Sequence, residues 1–130
     1  MGVQSSERGP VVSVPSGDTI TFNRLFTYVQ RHQKREEAFP AFSDLQLYEL
    51  LARHATEKTL HAVFAGERPV GVVVFKVDSD YRELFVYSLL CDNSLAFKTL
   101  IAKWKQVYPG FNARSHRRGK QVVLFKQSKF

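Results

Sequence analysis

Histidine and cysteine, the side chains that most often carry enzyme chemistry, are few in this sequence and show no motif spacing. A metal site needs ligands at short, regular intervals, and nucleophilic catalysis needs a Ser or Cys beside a base. Cys91 has no neighbouring base in the sequence, and Asp78 and Asp80 lack a further ligand at calcium-loop spacing. The sequence therefore predicts no metal site. The four histidines are His32, His54, His61 and His116.

The positive charge of the chain is concentrated in its last part. Residues 93–130 hold nine Lys and Arg residues and no Asp or Glu, so the formal net charge of +7 arises there. Clustered positive charge predicts an anionic partner, which could be nucleic acid, a phosphorylated cofactor, an anionic membrane or an acidic protein; the alternative is a solvated basic face. The densest supply of cations for such a partner is Arg114, Arg117, Arg118 and Lys120.

Apolar periodicity divides the chain into strands and three helices. Helical spacing predicts a first helix over 21–37 with Thr21 as its N-cap, and Ser43 with Gln46 forms a capping-box pattern that opens a second. The second helix carries His54 on its apolar stripe, where we expect a packed side chain rather than a catalyst. A third helix begins at residues 92–94 and ends at Pro109-Gly110. Strands are predicted over 11–14, 60–65, 70–77 and 84–90, with two more within 111–125.

These elements predict an α+β fold, with a single mixed, mostly antiparallel sheet flanked by helices. The strand over 84–90 is apolar on both faces, which predicts a central position, and Trp104 lies on the buried stripe of the third helix. Residues 11–130 are expected to form one domain with a basic C-terminal part, 93–130, after a disordered arm, 1–10. The single cysteine and the absence of a long apolar stretch predict a cytoplasmic protein without a membrane span.

The stretch HAVFAGERPVGVVVFK, His61–Lys76, resembles the Gcn5-related N-acetyltransferase (acyl-CoA N-acyltransferase) superfamily. In that family a strand and a short turn lead into a Pro-Val-Gly-type central strand, and the flanking order of elements is also similar. The resemblance implies an acyltransferase-like fold and transfer of an acyl group from acyl-CoA to an amine. It implies Glu83, at the start of the central strand, as the base. Tyr108 or Tyr87 would then protonate the departing thiolate.

The segment after the central strand departs from the pattern of this family. The family has a glycine-rich Arg/Gln-x-x-Gly-x-Gly/Ala loop that holds the pyrophosphate of the cofactor. This chain has LLCDNSLA instead, with no glycine and with Asp92 placed to repel an anion. We therefore expect weak or absent acetyl-CoA binding, with a nucleic-acid-binding or non-catalytic protein-interaction role as the alternative. The residues implied for the cofactor are Ser94, Leu95, Ala96 and Lys98, with the basic turn as the source of cations for its 3′-phosphate.

Overall fold

The computed structural model describes residues 10–13, 19–33, 43–117 and 120–127. Most of the predicted N-terminal arm lies outside the described residues. So do the predicted end of the first helix near residue 37 and the side chain of Arg118.

Six strands and three helices follow one another in the order that the sequence predicts. The strands form one sheet in the spatial order β1 to β6, antiparallel throughout except that β4 and β5 are parallel. β4 lies inside the sheet between β3 and β5, so the predicted single mixed sheet with this strand near its centre is confirmed. The elements are β1 Val11–Ser13, α1 Thr19–Gln33, α2 Asp44–Thr56, β2 Leu60–Ala65, β3 Arg68–Asp78, β4 Glu83–Cys91, α3 Ser94–Val107, β5 Asn112–Arg117 and β6 Lys120–Phe125.

The helix ends follow local capping chemistry. The capping box of α2 is present, because the Ser43 hydroxyl accepts from the Gln46 amide while the Gln46 side chain accepts from the Ser43 amide. Asn93 is the N-cap of α3, and Gly110 takes a left-handed φ of 82° just after that helix. The predicted cap of α1, Thr21, is wrong, because α1 begins at Thr19. The apolar stripe of α1 begins at Phe22 and does not include the exposed Ile20.

The sheet separates two apolar clusters. On one face, α1 and α2 pack over β2 and β3, and on the other α3 packs across β1 to β4. Trp104 of α3 is fully buried in the second cluster, as predicted, and its ring meets the Phe75 ring edge-on. Largest among the fully buried side chains of the first cluster are Leu25, Leu47, Leu51 and Leu60.

Candidate functional site

The parallel pair of strands, β4 and β5, separates partway along its length. The two strands pair from Glu83 opposite Asn112 to Val86 opposite Ser115, and there the ladder ends. β4 continues through residues 87–91 with no β5 partner among the described residues. The Ser115 hydroxyl donates to the Val86 carbonyl over 3.1 Å, so a side chain completes the last hydrogen bond of the ladder. We call this opening between the two strands the fork.

A β-bulge lies at the fork. Across the β3–β4 pair, Val74 is opposite Ser88 and Phe75 is opposite Val86, so Tyr87 is an extra residue in β4. The extra residue reverses the alternation of side chains, because successive strand residues point to opposite faces. Val86 accordingly packs in the α3 cluster, whereas Leu90 packs in the cluster beneath α1 and α2.

The Tyr87 side chain lies at the mouth of the fork on the α1–α2 face. It is 52% exposed, and its ring is 5.4 Å from that of Phe85 and 6.1 Å from that of His54. Glu83 and Arg114 share this face, because Arg114 is the register neighbour of Phe85 and Glu83 is two residues away from it. The carboxylate of Glu83 forms an ion pair with the Arg114 guanidinium. Tyr87 and Glu83, both in β4, therefore lie on the same face of the sheet.

The end of the fork is occupied by a carboxylate that another helix holds in place. The Tyr28 hydroxyl of α1 donates to Oδ1 of Asp92 over 2.7 Å, and Nε2 of His32 lies 3.7 Å from the same oxygen. Nδ1 of His32 is 2.8 Å from the Tyr28 carbonyl, which fixes the imidazole against α1. Asp92 thus places negative charge immediately before the N-terminus of α3.

The residues that the resemblance implies for the cofactor fit a pyrophosphate poorly. The Ala96 amide already donates to the Asn93 side chain over 2.9 Å, and Ala96 itself is buried. Ser94, Leu95 and Lys98 are exposed, and Lys98 provides a cation one turn into α3. However, the Asp92 carboxylate opposes an anion at this position, and no glycine allows close backbone approach. The fork suits an extended chain, whereas the α3 N-terminus does not suit a diphosphate.

Tyr108 lies apart from Glu83, so the structure does not bring these two predicted catalytic residues together. Tyr108 follows the last turn of α3, and its ring packs against Phe75 and Phe111 on the α3 side of the sheet. Burial raises the pKa of its phenol. Glu83 is on the opposite face, and the length of α3 separates Tyr108 from Ser94 by about 21 Å.

The predicted cations are dispersed along the β5–β6 hairpin. Arg114 is held by Glu83, and Lys120 is exposed at the start of β6. Arg117 is the register neighbour of Lys120, and Arg118 lies outside the described residues.

The surroundings of two buried histidines, His54 and His61, and of Cys91 indicate structural roles. Nδ1 of His61 accepts from Nε1 of Trp104 over 2.9 Å, and burial, aided by the charge of Lys103, lowers the pKa of His61 to about 4. His54 is buried as expected, with Nδ1 2.6 Å from the Thr59 hydroxyl, and burial is the main cause of its lowered pKa. Burial raises the pKa of Cys91 to about 11, with Asp92 adding to the effect, so its reactive thiolate is suppressed.

The part of the chain that the structure describes contains no cluster of three or more metal-ligating side chains. Its helices include none that is both long and apolar enough to cross a membrane.

Sequence comparison finds no family model and no curated protein that matches this chain. Among solved structures, the chain is similar to RimL, described as a ribosomal L7/L12 alpha-N-protein acetyltransferase, in its apo crystal form. The TM-score is 0.57 at 9% sequence identity, over 85% of this chain and 68% of the RimL chain. The chain therefore has the Gcn5-related N-acetyltransferase fold, as the resemblance in sequence implies.

Proposed function

We propose that this protein is an N-acyltransferase that takes its acyl group from a pantetheine thioester such as acetyl-CoA. The fork between β4 and β5 is the observation that carries the proposal. Members of the fold family typically use acyl-CoA, which supplies an activated acyl group to an amine.

The fork supports this proposal because it is a strand edge inside a sheet. Beyond Val86 the backbone groups of β4 that face β5 lack a ladder partner there among the described residues. Such groups pair with an extended chain that carries its own amides, as an added strand would, and a pantetheine arm is a chain of that kind. The bulge at Tyr87 changes the direction of these groups at the same point.

We expect the amine to approach from the face of the sheet that holds Glu83 and Tyr87. Glu83 would accept the amine proton through a chain of water molecules, because it lies four positions from Tyr87 along β4, about 13 Å. The Tyr87 hydroxyl would return a proton to the departing thiolate. We favour Tyr87 over Tyr108 for this step, because Tyr108 packs on the opposite face.

Binding of acetyl-CoA is expected to be weak and to improve when the charge of Asp92 is removed. Asp92→Asn keeps an oxygen for the Tyr28 hydroxyl but removes a charge whose repulsion of a phosphate is on the order of 1 kcal/mol. Titration calorimetry should therefore show micromolar or weaker affinity for the natural protein and about five- to tenfold tighter binding for the variant.

Asp44→Asn is the matched control, since it makes the same change in the first turn of α2, away from the fork. It should leave the affinity for acetyl-CoA unchanged. Submicromolar binding by the natural protein would show that the missing glycines matter little. Absence of binding by both the natural protein and Asp92→Asn would contradict the assignment of the fork.

An assay of acyl transfer should distinguish the roles of Tyr87 and Tyr108. With acetyl-CoA and a short peptide bearing a free α-amino group, release of the CoA thiol measures turnover. Glu83→Gln should lower kcat at least a hundredfold and Tyr87→Phe about tenfold, because each removes a proton-transfer group. Tyr108→Phe makes the same chemical change on the other face, and kcat should stay within about twofold. A loss confined to Tyr108→Phe would reverse the tyrosine assignment, and full activity in all three variants would contradict the proposed mechanism.

A further inference from the structure

The sheet has two edge strands, and β6 is the longer of them. β1 spans three residues, whereas β6 spans six, Lys120–Phe125. In the described part of the chain β6 pairs with β5 alone, so its outer row of N–H and C=O groups has no strand beside it. An edge of this kind accepts another extended segment, and natural proteins often shorten or charge their edges to prevent that.

The middle of β6 is exposed and apolar on both faces. Val122 is 37% exposed and Val123 is 62% exposed. Their register partners, Ser115 and Arg114, are consecutive residues of β5, so the two valines point to opposite sides of the sheet. Regular pairing of β6 with β5 ends at Val123, because a bulge leaves the next residue without a register partner in β5. The regularly paired part of β6 is about 13 Å long.

The charged residues at the two ends of β6 are both positive. Lys120 begins β6 and Lys126 follows it; both are exposed, about 20 Å apart along an extended chain. Residues 93–130 contain no Asp or Glu that could neutralise them. Glu83 of β4, on the far side of β5 from β6, is already paired with Arg114.

We propose that β6 binds an extended acidic segment of a partner protein as a seventh strand. Apolar side chains of the segment would cover Val122 and Val123, while carboxylates at its two ends meet Lys120 and Lys126. The positive charges of β6 also disfavour a second copy of this chain as the partner. Antiparallel pairing of two β6 strands about the valines would bring Lys120 of one copy within one position of Lys126 of the other. The proposal is independent of acyl transfer.

The test is fluorescence anisotropy with the labelled peptide Glu-Glu-Thr-Val-Val-Thr-Glu-Glu, whose adjacent valines point to opposite faces, and the full chain at low salt. We expect saturable binding. Methylation of two neighbouring central backbone nitrogens, which lie on opposite edges of the peptide, should weaken binding at least tenfold, because it removes donors to β6 whichever edge faces it and keeps every charge. Replacement of all four Glu by Lys should also weaken binding at least tenfold.

Val123→Lys should weaken binding at least fivefold, although the new charge attracts the peptide, because a lysine replaces the apolar contact. Val107→Lys is the matched control, since it adds the same charge at a half-exposed valine of α3, and it should not weaken binding. Equal binding of the N-methylated peptide, displacement by a single-stranded oligonucleotide of the same charge at equal concentration, or no binding would each overturn the proposal. Self-association abolished by Val123→Lys would assign the edge to a second copy instead.

Discussion

Trp104→Ala should reduce the free energy of unfolding by about 3–5 kcal/mol, the largest effect we expect from a single substitution. Trp104 is fully buried between α3 and the sheet, so truncation leaves a cavity lined by Phe75 and its neighbours. It also leaves Nδ1 of His61 without the donor that it has in the folded protein. Urea denaturation followed by circular dichroism measures the loss.

Two variants separate burial from position on the helix. Trp104→Phe keeps much of the apolar volume and loses the Nε1 donor, so its cost should be clearly smaller than that of Trp104→Ala. Val107→Ala trims an exposed side chain of the same helix and should change stability by no more than about 0.5 kcal/mol. A loss below about 1 kcal/mol for Trp104→Ala would show that the indole is exposed in solution.

Acidification should destabilise the protein through His61. Its pKa is about 4 in the folded protein, against 6.5 for an ordinary histidine, so between these pH values only the unfolded chain binds the proton. The contribution to stability is therefore complete above about pH 6.5 and is lost as the pH falls towards 4. The difference between the folded and unfolded pKa values of His61 corresponds to a loss of about 3 kcal/mol in the free energy of unfolding. Unfolding midpoints in urea, measured from pH 7.5 to 4, follow this loss.

His61→Gln isolates this contribution, because the glutamine oxygen can still accept from Trp104 while the side chain does not titrate. The variant should show a shallower dependence of stability on pH. Some slope should remain, since burial also lowers the pKa of His54 and has the same sign of effect. An unchanged slope in His61→Gln would show that His61 is not the group responsible.

Features with short-range causes could be predicted from the sequence. The capping box of α2 depends on two residues three positions apart, and the burial of Trp104 follows from helical spacing alone. The central position of β4 follows from apolar residues on both of its faces. The predicted single mixed sheet and the fold were accordingly confirmed, whereas the start of α1 was missed, because the residues before Phe22 do not belong to its apolar stripe.

The candidate site depended on contacts between distant parts of the chain. The fork and the bulge at Tyr87 exist because β4 pairs differently with β3 and with β5. No local pattern in the sequence of β4 indicates which strands it pairs with. The hydrogen bond from Tyr28 to Asp92 spans 64 positions, and the one from Trp104 to His61 spans 43.

The order of the elements, the buried face of each helix and the basic C-terminal part could be predicted from the chain alone, because periodicity, capping and charge act between residues a few positions apart. The positions of Glu83 and Tyr87 on one face and of Tyr108 on the other depend on the tertiary structure. So does the position of β6 at the edge of the sheet that the described residues form. Strand pairing and helix docking set these relations, and both join residues that the chain itself keeps far apart.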